Sequence, residues 1–243
     1  PVGTARLTPD RRIGRMAVLP RHRGRGIGEA MLAALVAHAR AQGWAEVGLH
    51  AQLHALAFYA RAGFVPCGPV FTEAGIEHRR MARRLPGASP VEDAEAAAAV
   101  LLGLAAHARR GLGIYSRALD PGLLDRREVV DALRRFATRP GRRQVRILLQ
   151  DAAAPQREDA PLLALAQRLP SVFELREVAD PVDARYPSAY AFNDAGGALF
   201  RPLGQRFEGE GGIEDGPAAR RLAHAFEPVW ERSRPCTELR ALG

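Results

Sequence analysis

The chain contains no lysine, and all 35 of its basic residues are arginine. This absence excludes mechanisms that need a primary amine on the protein: a lysine-bearing phosphate loop, a Schiff-base lysine and the His-x-Lys motif of phosphodiesterases. Arginine binds phosphate well, but its pKa is too high for proton transfer near neutral pH. The basic residues therefore favour anion binding over acid–base chemistry.

Cysteines and long apolar runs are also scarce. Cys67 and Cys236 are the two cysteines in 243 residues, which is too few for a disulfide framework and favours a reducing, cytoplasmic location. No apolar run approaches 18 residues and no secretory signal is visible, so we expect no membrane partner. The length and a hydrophobic content of 47% allow two domains with substantial cores.

The net charge of +8 is distributed unevenly. Residues 1–88 carry 13 arginines and 5 acidic residues, whereas residues 89–243 carry 22 of each. Such an excess suits a polyanionic ligand. No groove-reading helix or basic stripe with interleaved aromatics accompanies it, so we expect no nucleic-acid partner and expect instead a phosphate-bearing small molecule bound by residues 1–88.

A glycine-rich turn is the strongest local feature. The sequence Arg21-His22-Arg23-Gly24-Arg25-Gly26-Ile27-Gly28 lies between an apolar run, 13–20, and a helical stretch, 29–42. Alternate glycines let a backbone approach a ligand closely, and the following helix N-terminus attracts anions, so the turn predicts a pyrophosphate site. Dinucleotide-binding folds use similar turns with an acidic residue about 20 positions on, where Glu46 stands here, so the turn alone does not identify the ligand.

A second motif, later in the chain, helps to identify the ligand of the glycine-rich turn. A short strand, 46–51, is followed by Phe58-Tyr59-Ala60-Arg61-Ala62-Gly63-Phe64. The two motifs, in this order, resemble the GNAT N-acetyltransferases, and residues 64–81 are similar to their ElaA-like branch. The resemblance implies a mixed α+β sheet with flanking helices. It also implies acetyl-CoA as cosubstrate and transfer of the acetyl group to an unidentified amine of a small molecule or peptide.

The resemblance also assigns roles to residues. Tyr59 is the expected catalytic acid, because a phenol with a pKa of about 10 can protonate a leaving thiolate whose pKa is about 8.5; the alternative is an aromatic of the core. Val18 would contact the pantetheine arm and could donate to the oxyanion, and Gln52 stands where the family often has Asn. The cofactor-binding residues are expected to be Met16, Ala17, Val18, Arg21, Arg23, Gly24, Arg25, Gly26, Ile27, Gly28 and Gln52.

Neither a general base nor a metal site is evident. No acidic residue lies on the strand 13–19, and His50 is only one candidate for the base. His50 and His54 have the spacing of a metal-binding pair, but no third ligand accompanies them, so we predict no metal.

Hydrophobic periodicity predicts the other elements of residues 1–88. We expect a hairpin of strands 2–7 and 13–19, a helix over 28–41, and closing strands 65–71 and 78–85 joined by a turn at 73–75. In the GNAT fold this hairpin would be the third and fourth strands. The domain is therefore expected to lack the first two strands of the family and the helices between them.

A boundary is predicted at Pro86-Gly87-Ala88. Beyond it, Ser89-Pro90-Val91-Glu92 reads as a capping box that opens an Ala-rich helix ending at Gly111. Strands and helices then alternate, which predicts a second α/β domain over 89–243. Its expected elements are strands 112–116, 144–150 and 173–178, a helix opened by Asp125, a helix 160–169, a hairpin of 189–192 and 198–201, and a last helix 217–232.

This second part is similar to the phospholipase-D-like fold. The resemblance rests on Ile114-Tyr115-Ser116, on the strand 145–149 and on the hairpin turn Asp194-Ala195-Gly196-Gly197. It implies a non-catalytic domain, because the hairpin has no histidine and the chain has no lysine. Two functions remain open: an N-acetyltransferase with an accessory domain, or a silent acyl-CoA-binding or protein-interaction module. Homo-oligomer formation is also left open.

Overall fold

The computed structural model describes residues 1–157 and 160–236. Within them the strands form two sheets, one of five strands and one of eight. The result is a mixed α/β architecture.

The first sheet has the strand order β1-β2-β3-β5-β4. Its strands are β1 (Gly3–Leu7), β2 (Arg12–Val18), β3 (Glu46–Gln52), β4 (Val65–Glu73) and β5 (Ile76–Arg84). Strands β1 and β2 form an antiparallel hairpin, β2 and β3 are parallel, and β5 pairs antiparallel with both β3 and β4. These strands lie where the sequence periodicity predicts them.

Two helices accompany this sheet. Helix α1 (Ile27–Ala41) buries Leu32, Val36 and Ala39, whose spacing of three to four residues places them on one face. Helix α2 (Leu56–Arg61) follows a short 3₁₀ turn, Leu53–Ala55, and buries Ala60. Both helices belong to the same core cluster as the inward-facing side chains of β2 and β3.

The important feature of this sheet is the separation of β2 from β3. Their parallel pairing consists of Arg12 with Gly48 and Ile13 with Leu49, whereas β3 pairs with β5 along its whole length. A bulge at Arg15, whose φ is 54°, shifts the register of β2 against β1 at this point. The carboxyl-terminal halves of β2 and β3 therefore diverge and leave an opening between them.

The second sheet has the strand order β13-β9-β8-β7-β10-β11-β12-β6, with parallel pairing at β7/β8 and β8/β9 and antiparallel pairing elsewhere. Its strands are β6 (Ser89–Val91), β7 (Gly111–Ser116), β8 (Gln144–Leu149), β9 (Phe173–Glu177), β10 (Ala189–Asn193), β11 (Ala198–Arg201), β12 (Gly209–Gly212) and β13 (Arg234–Pro235). Its helices are α3 (Ala94–His107), α4 (Arg127–Ala137), α5 (Ala154–Arg157), α6 (Pro161–Arg168) and α7 (Gly216–Arg232).

Alternating side chains divide the second sheet into two buried faces. Ile114 and Ile147 face the larger core cluster with helices α3, α4 and α6. Tyr115 and Leu148, one residue on in each strand, face a separate cluster with helix α7, where Trp230 is buried. The second part is thus a sheet with helices on both faces.

The predicted capping box at Ser89 is wrong. Residues Ser89–Val91 form the edge strand β6, paired with Gly209–Gly211, and helix α3 begins four residues later than expected. Asp93 is the N-cap, and its carboxylate accepts the Ala96 N–H at 2.8 Å. Pro90 is tolerated on an edge strand because its missing N–H costs little there.

Two smaller boundaries also differ from the sequence prediction. The N-cap of α4 is Arg126 rather than Asp125, and no side-chain oxygen caps that helix. Helix α3 ends at His107, and Gly111 instead begins strand β7.

Helix α3 lies between the two sheets. Its residues 96–105 are all buried, ten in succession, as expected for a helix that is covered on every side. It contacts helix α2 and strand β4 of the first part and strands β10, β11 and β12 of the second. The alanines along it allow these close approaches, so the two parts share one apolar core.

Candidate functional site

The opening between β2 and β3 forms a cleft of about 1010 Å³. The glycine-rich turn lies on one side of it, and helix α2 with Tyr59 lies on another. The splayed strands therefore bring together two sequence motifs that are about 30 residues apart.

Glycine is required in the turn for conformational reasons. Gly24 and Gly26 have φ values of 72° and 76°, in the left-handed region that side chains disfavour. Gly28 is tightly packed instead: a Cβ there would lie 3.3 Å from the Phe58 ring, so a larger residue would require that ring to shift. These positions let helix α1 begin close to helix α2 at the cleft.

The N-terminus of α1 offers backbone donors to this cleft. Its N-cap is Gly26, which has no side chain to cap the helix, and Gly26, Ile27 and Gly28 all line the cleft. The amides of the first helical turn have no acceptors within the helix, and the helix dipole is positive at this end. The combination is suited to an anion such as a phosphate.

Backbone groups of β2 face the opening as well. The Leu19 N–H donates to the Val2 carbonyl at 3.0 Å, on the β1 side of the strand. Because backbone groups alternate in direction along a strand, those of Val18 point the other way, towards β3. Arg23 confirms this direction, since its Nε donates to the Val18 carbonyl at 3.0 Å. An extended ligand lying along β2 would find its hydrogen-bonding partners here.

Tyr59 is half-buried at the cleft, in edge-to-face contact with Phe58 and Phe64, with ring centroids 5.0 Å and 6.2 Å away. Burial in this apolar setting raises the pKa of the Tyr59 phenol above its ordinary value of 10.0. The hydroxyl therefore keeps its proton at neutral pH. It can donate a proton or a hydrogen bond to a group in the cleft.

Most of the site residues expected from the sequence line this cleft. They are Met16, Ala17, Val18, Arg23, Gly24, Gly26, Ile27, Gly28, Gln52 and Tyr59. Arg21 and Arg25 lie outside the lining set: both are exposed, and Arg21 Nε donates to His22 Nε2 at 3.2 Å. The cofactor-binding role of each residue stays a prediction.

The structure adds residues that sequence reasoning missed. Glu29 of α1 and Arg61 of α2 form an ion pair at 3.5 Å across the cleft rim, and the Arg61 guanidinium also lies 5.9 Å from the centre of the Phe58 ring. Arg61 lies inside the second motif, so its position was available as a signal. The sequence around Glu29 carries no such signal, because its partner Arg61 lies 32 residues further along the chain.

The other end of the cleft contains an unexpected carboxylate. Glu73, at the tip of the β4–β5 hairpin, lies 3.4 Å from His50 Nδ1. Phe71 of the same hairpin contacts the His50 ring edge-on and stacks with His78. No carboxylate partner for His50 was predicted from the sequence. Among the described residues, no group of three or more His, Cys, Asp or Glu side chains could hold a metal ion.

Comparison with known families places both parts of the chain. A model described as "Domain of unknown function (DUF7931)" matches residues 93–242, well over half of the chain. The chain belongs to the DUF7931 family. A second model, described as "Acetyltransferase (GNAT) domain", matches residues 1–85. The N-terminal part is a GNAT acetyltransferase domain, and the part that follows is the DUF7931 region.

Solved structures match the GNAT domain. The chain is 33% identical to Escherichia coli ElaA, covering 34% of this chain and 60% of that one, with a TM-score of 0.31. It is 40% identical to an acyl-CoA N-acyltransferase from Pseudomonas aeruginosa, covering 30% and 49%, with a TM-score of 0.27. A GNAT acetyltransferase from Elizabethkingia anophelis, solved with acetyl-CoA bound, is 18% identical over 35% and 69%, with a TM-score of 0.29.

These matches cover only part of each relative. The chain spans 60% of the length of ElaA and 49% of that of the Pseudomonas enzyme. No helix in the described ranges has both the length and the apolar character to cross a membrane.

Proposed function

We propose that the chain is an acetyl-CoA-dependent N-acetyltransferase, with the DUF7931 region as an accessory part. The observation that carries this proposal is the cleft, where the divergence of β2 and β3 places the glycine-rich turn and Tyr59 on one cavity. Membership of the N-terminal part in the GNAT acetyltransferases supports the same reaction.

The residues of the cleft fit coenzyme A. A long polyanionic ligand needs donors for its phosphates, and the turn 24–28 supplies glycine backbone and a helix N-terminus in an arginine-rich domain. The diverging edge of β2, including Val18, would hold the amide-containing pantetheine arm through backbone hydrogen bonds. Gly24 has open space around it, so the ligand could approach the backbone directly.

Acetyl-CoA supplies an activated thioester when it is bound. Val18 would donate its backbone N–H to the oxyanion that forms on the thioester carbonyl. Tyr59, whose raised pKa keeps its hydroxyl protonated at neutral pH, would give its proton or a hydrogen bond to the departing sulfur. His50, positioned by Glu73, is our candidate for the group that accepts a proton from the attacking amine.

Binding of acetyl-CoA, measured by calorimetry, tests the site. Gly26→Glu would introduce a carboxylate where we place the phosphates, and we expect it to abolish binding. Gly43→Glu is the matched control: Gly43 follows the other end of α1, has a similar φ of 70°, and has open space around it. The two changes carry a comparable backbone strain, so the control is matched. It should bind like the wild type, because Gly43 does not line the cleft. Equal acetyl-CoA binding by the wild type and both variants would contradict the assignment of the cleft as the acetyl-CoA site.

A thiol-release assay beside the calorimetry addresses the second candidate, a silent acyl-CoA-binding module. Tight binding with no release of free thiol in the presence of amines would favour that alternative.

We also propose that the DUF7931 region is a non-catalytic, phospholipase-D-like unit. The parallel strands β7, β8 and β9 beside the antiparallel β10–β11 hairpin support this proposal. In the hairpin, Asn193 holds the turn together: its Oδ1 accepts the backbone N–H groups of Ala195 and Gly197. Asn193 therefore stabilises the hairpin turn and does not act as a nucleophile.

A further inference from the structure

Two residues that follow strand β12, Ile213 and Glu214, contact the GNAT domain; we call them the 213–214 wedge. The Asp215 N–H donates to the Gly196 carbonyl at 2.8 Å and so ties the wedge to the DUF7931 region, while the N–H of Gly87, in the segment between the two parts, donates to the Glu214 carbonyl at 3.0 Å. Ile213 is only 5% exposed, so its side chain is buried between the two parts.

Ile213 fills the space where helix α2 meets helix α3. A Cβ built on Gly63, just beyond the end of α2, would lie 2.6 Å from Ile213 Cδ1. A Cβ built on Gly103 of α3 would lie 2.7 Å from Ile213 Cγ2 and 3.2 Å from the Ala60 carbonyl. Glycine is therefore needed at both positions to admit Ile213, and any change in its volume acts directly on the end of α2.

Glu214 forms the polar half of the same contact. Its carboxylate pairs with Arg83 of β5 at 3.1 Å and, through its other oxygen, with Arg40 of α1. Arg83 in turn donates to the Ala62 carbonyl at 2.7 Å, next to the end of α2. Burial alone would raise the pKa of Glu214, but hydrogen bonds and charges from the two arginines outweigh it and leave the pKa below its ordinary value. The charged carboxylate thus links α1, β5 and the end of α2.

The end of α2 is directly connected to Tyr59. The Tyr59 carbonyl accepts the N–H groups of Ala62 and Phe64, at 2.9 Å and 3.2 Å, and the Ala60 carbonyl accepts that of Gly63 at 2.8 Å. A six-residue helix has little stability of its own, so its position depends on what packs against it. We propose that the 213–214 wedge of the DUF7931 region holds helix α2 and thereby positions Tyr59 in the cleft. This rests on the proposed role of Tyr59 in acetyl transfer.

Four variants of the full chain test the proposal. Ile213→Ala removes the apolar contact, Glu214→Gln removes the charge with little change of shape, and Ile213→Val is the conservative variant. Leu222→Ala is the control, since Leu222 is buried at 4% exposure in the separate cluster on helix α7. It should lower the stability of the chain without removing any contact to α2.

The first readout is amide hydrogen exchange over residues 59–64. We expect faster exchange in Ile213→Ala and Glu214→Gln, near-wild-type exchange in Ile213→Val, and no change there in Leu222→Ala. The second readout separates binding from turnover: acetyl-CoA affinity should stay within about twofold of wild type, while thiol release from acetyl-CoA, with water as the acceptor, falls tenfold or more in Ile213→Ala, because small misplacements of a catalytic group reduce rates strongly.

Unchanged exchange at 59–64 in both Ile213→Ala and Glu214→Gln, or the same acceleration in Leu222→Ala, would overturn the proposal. So would an equal loss of turnover in Ile213→Ala and Leu222→Ala. Failure of the proposed function has a different signature, because the wild type itself would then release no thiol, whether or not it binds acetyl-CoA. The exchange data would still decide whether the wedge holds α2.

Discussion

The half-buried phenol of Tyr59 decides what that residue can do in the cleft. Phe58 and Phe64 surround it with apolar edges, and burial raises its pKa above 10.0. A phenol in this state stays protonated across the physiological range, so it can donate a proton or a hydrogen bond but has no phenolate form present to accept one. Its chemistry therefore suits the departure of a thiolate better than the activation of an amine.

Replacing this hydroxyl tests the donor role. We expect Tyr59→Phe to lower turnover by about two orders of magnitude, the lower end of what general acid catalysis contributes, with acetyl-CoA affinity nearly unchanged. That pattern indicates loss of an interaction made in the transition state. The measurements are thiol release and calorimetry on the same preparations.

Tyr186→Phe is the control for this change, since Tyr186 lies in the DUF7931 region and is 42% exposed. It should leave both quantities unaltered. Wild-type turnover in Tyr59→Phe would return Tyr59 to a packing role beside Phe64.

The residues of the site differ in how well the sequence could predict them. Gly24 and Gly26 were predictable because their conformations are local requirements of one turn. The pairing of His50 with Glu73 was not, because it depends on how the β4–β5 hairpin is placed against β3, 23 residues away along the chain. Arg21 and Arg25, which were expected among the cofactor-binding residues, are exposed and lie outside the set that lines the cleft, and their role stays a prediction.

At the scale of elements, the junction between β6 and α3 carries more than a helix cap. Arg79 of β5 is 6% exposed, and its guanidinium pairs with Asp93 at 2.5 Å and with Glu95. Burial would raise the pKa of Asp93, but Arg79 and the Ala96 N–H lower it overall. Asp93 therefore both starts α3 and binds a buried cation of the GNAT domain.

Two substitutions at Asp93 separate these roles. Asn can still accept a hydrogen bond from the Ala96 N–H but has no charge to pair with Arg79. Ala can neither accept that hydrogen bond nor pair with Arg79. We expect Asp93→Ala to be less stable than Asp93→Asn by about 1 kcal/mol, the usual value of a lost N-cap. Urea unfolding followed by circular dichroism measures the difference.

Ser89→Ala distinguishes this arrangement from the capping box that the sequence suggested. With Ser89 in strand β6, the loss of its hydroxyl should cost clearly less than Asp93→Ala. The opposite order of stabilities would mean that the helix begins at Ser89 after all.

Elements with strong local patterns were predictable, and elements made by distant partners were not. Helix α1 and strand β8 follow from periodicity and apolar runs. Strand β12 is Gly-Glu-Gly-Gly, which has little intrinsic preference for a strand. It forms because its backbone pairs with β11 and β6, and its glycines leave room for neighbours: a Cβ on Gly211 would lie 2.8 Å from Val100.

At the scale of the whole molecule, the two parts are joined by a single apolar cluster. It includes Val47 and Met81 of the GNAT domain, the alanines and leucines of α3, and Ile147 of the DUF7931 region. Ion pairs of Arg79 and Arg83 with residues 93, 95 and 214 lie along the same boundary. An interface of this kind couples the stability of one part to that of the other.

The chain's two tryptophans report on this coupling. Trp44 is half-buried against the core of the GNAT domain, and Trp230 is buried in the cluster around helix α7. In Trp230→Phe the fluorescence follows the GNAT domain, and in Trp44→Phe it follows the DUF7931 region. Because the two parts share one core, we expect the fluorescence transition of each variant to coincide with that variant's far-ultraviolet circular dichroism in a urea titration, as in two-state unfolding.

Comparing the two probes within one variant removes the effect of each substitution on overall stability. A fluorescence midpoint that differs from the circular dichroism midpoint in either variant would show that the parts unfold separately. In that case, Ile213→Ala in the Trp44→Phe background, which reports on the DUF7931 region through Trp230, should shift both the fluorescence and the circular dichroism transitions. The same change in the Trp230→Phe background, which reports on the GNAT domain through Trp44, should leave the fluorescence transition where it was. If the shared core couples the parts, Ile213→Ala instead lowers the midpoint seen by both tryptophans by the same amount, since its side chain touches α2 and α3 together.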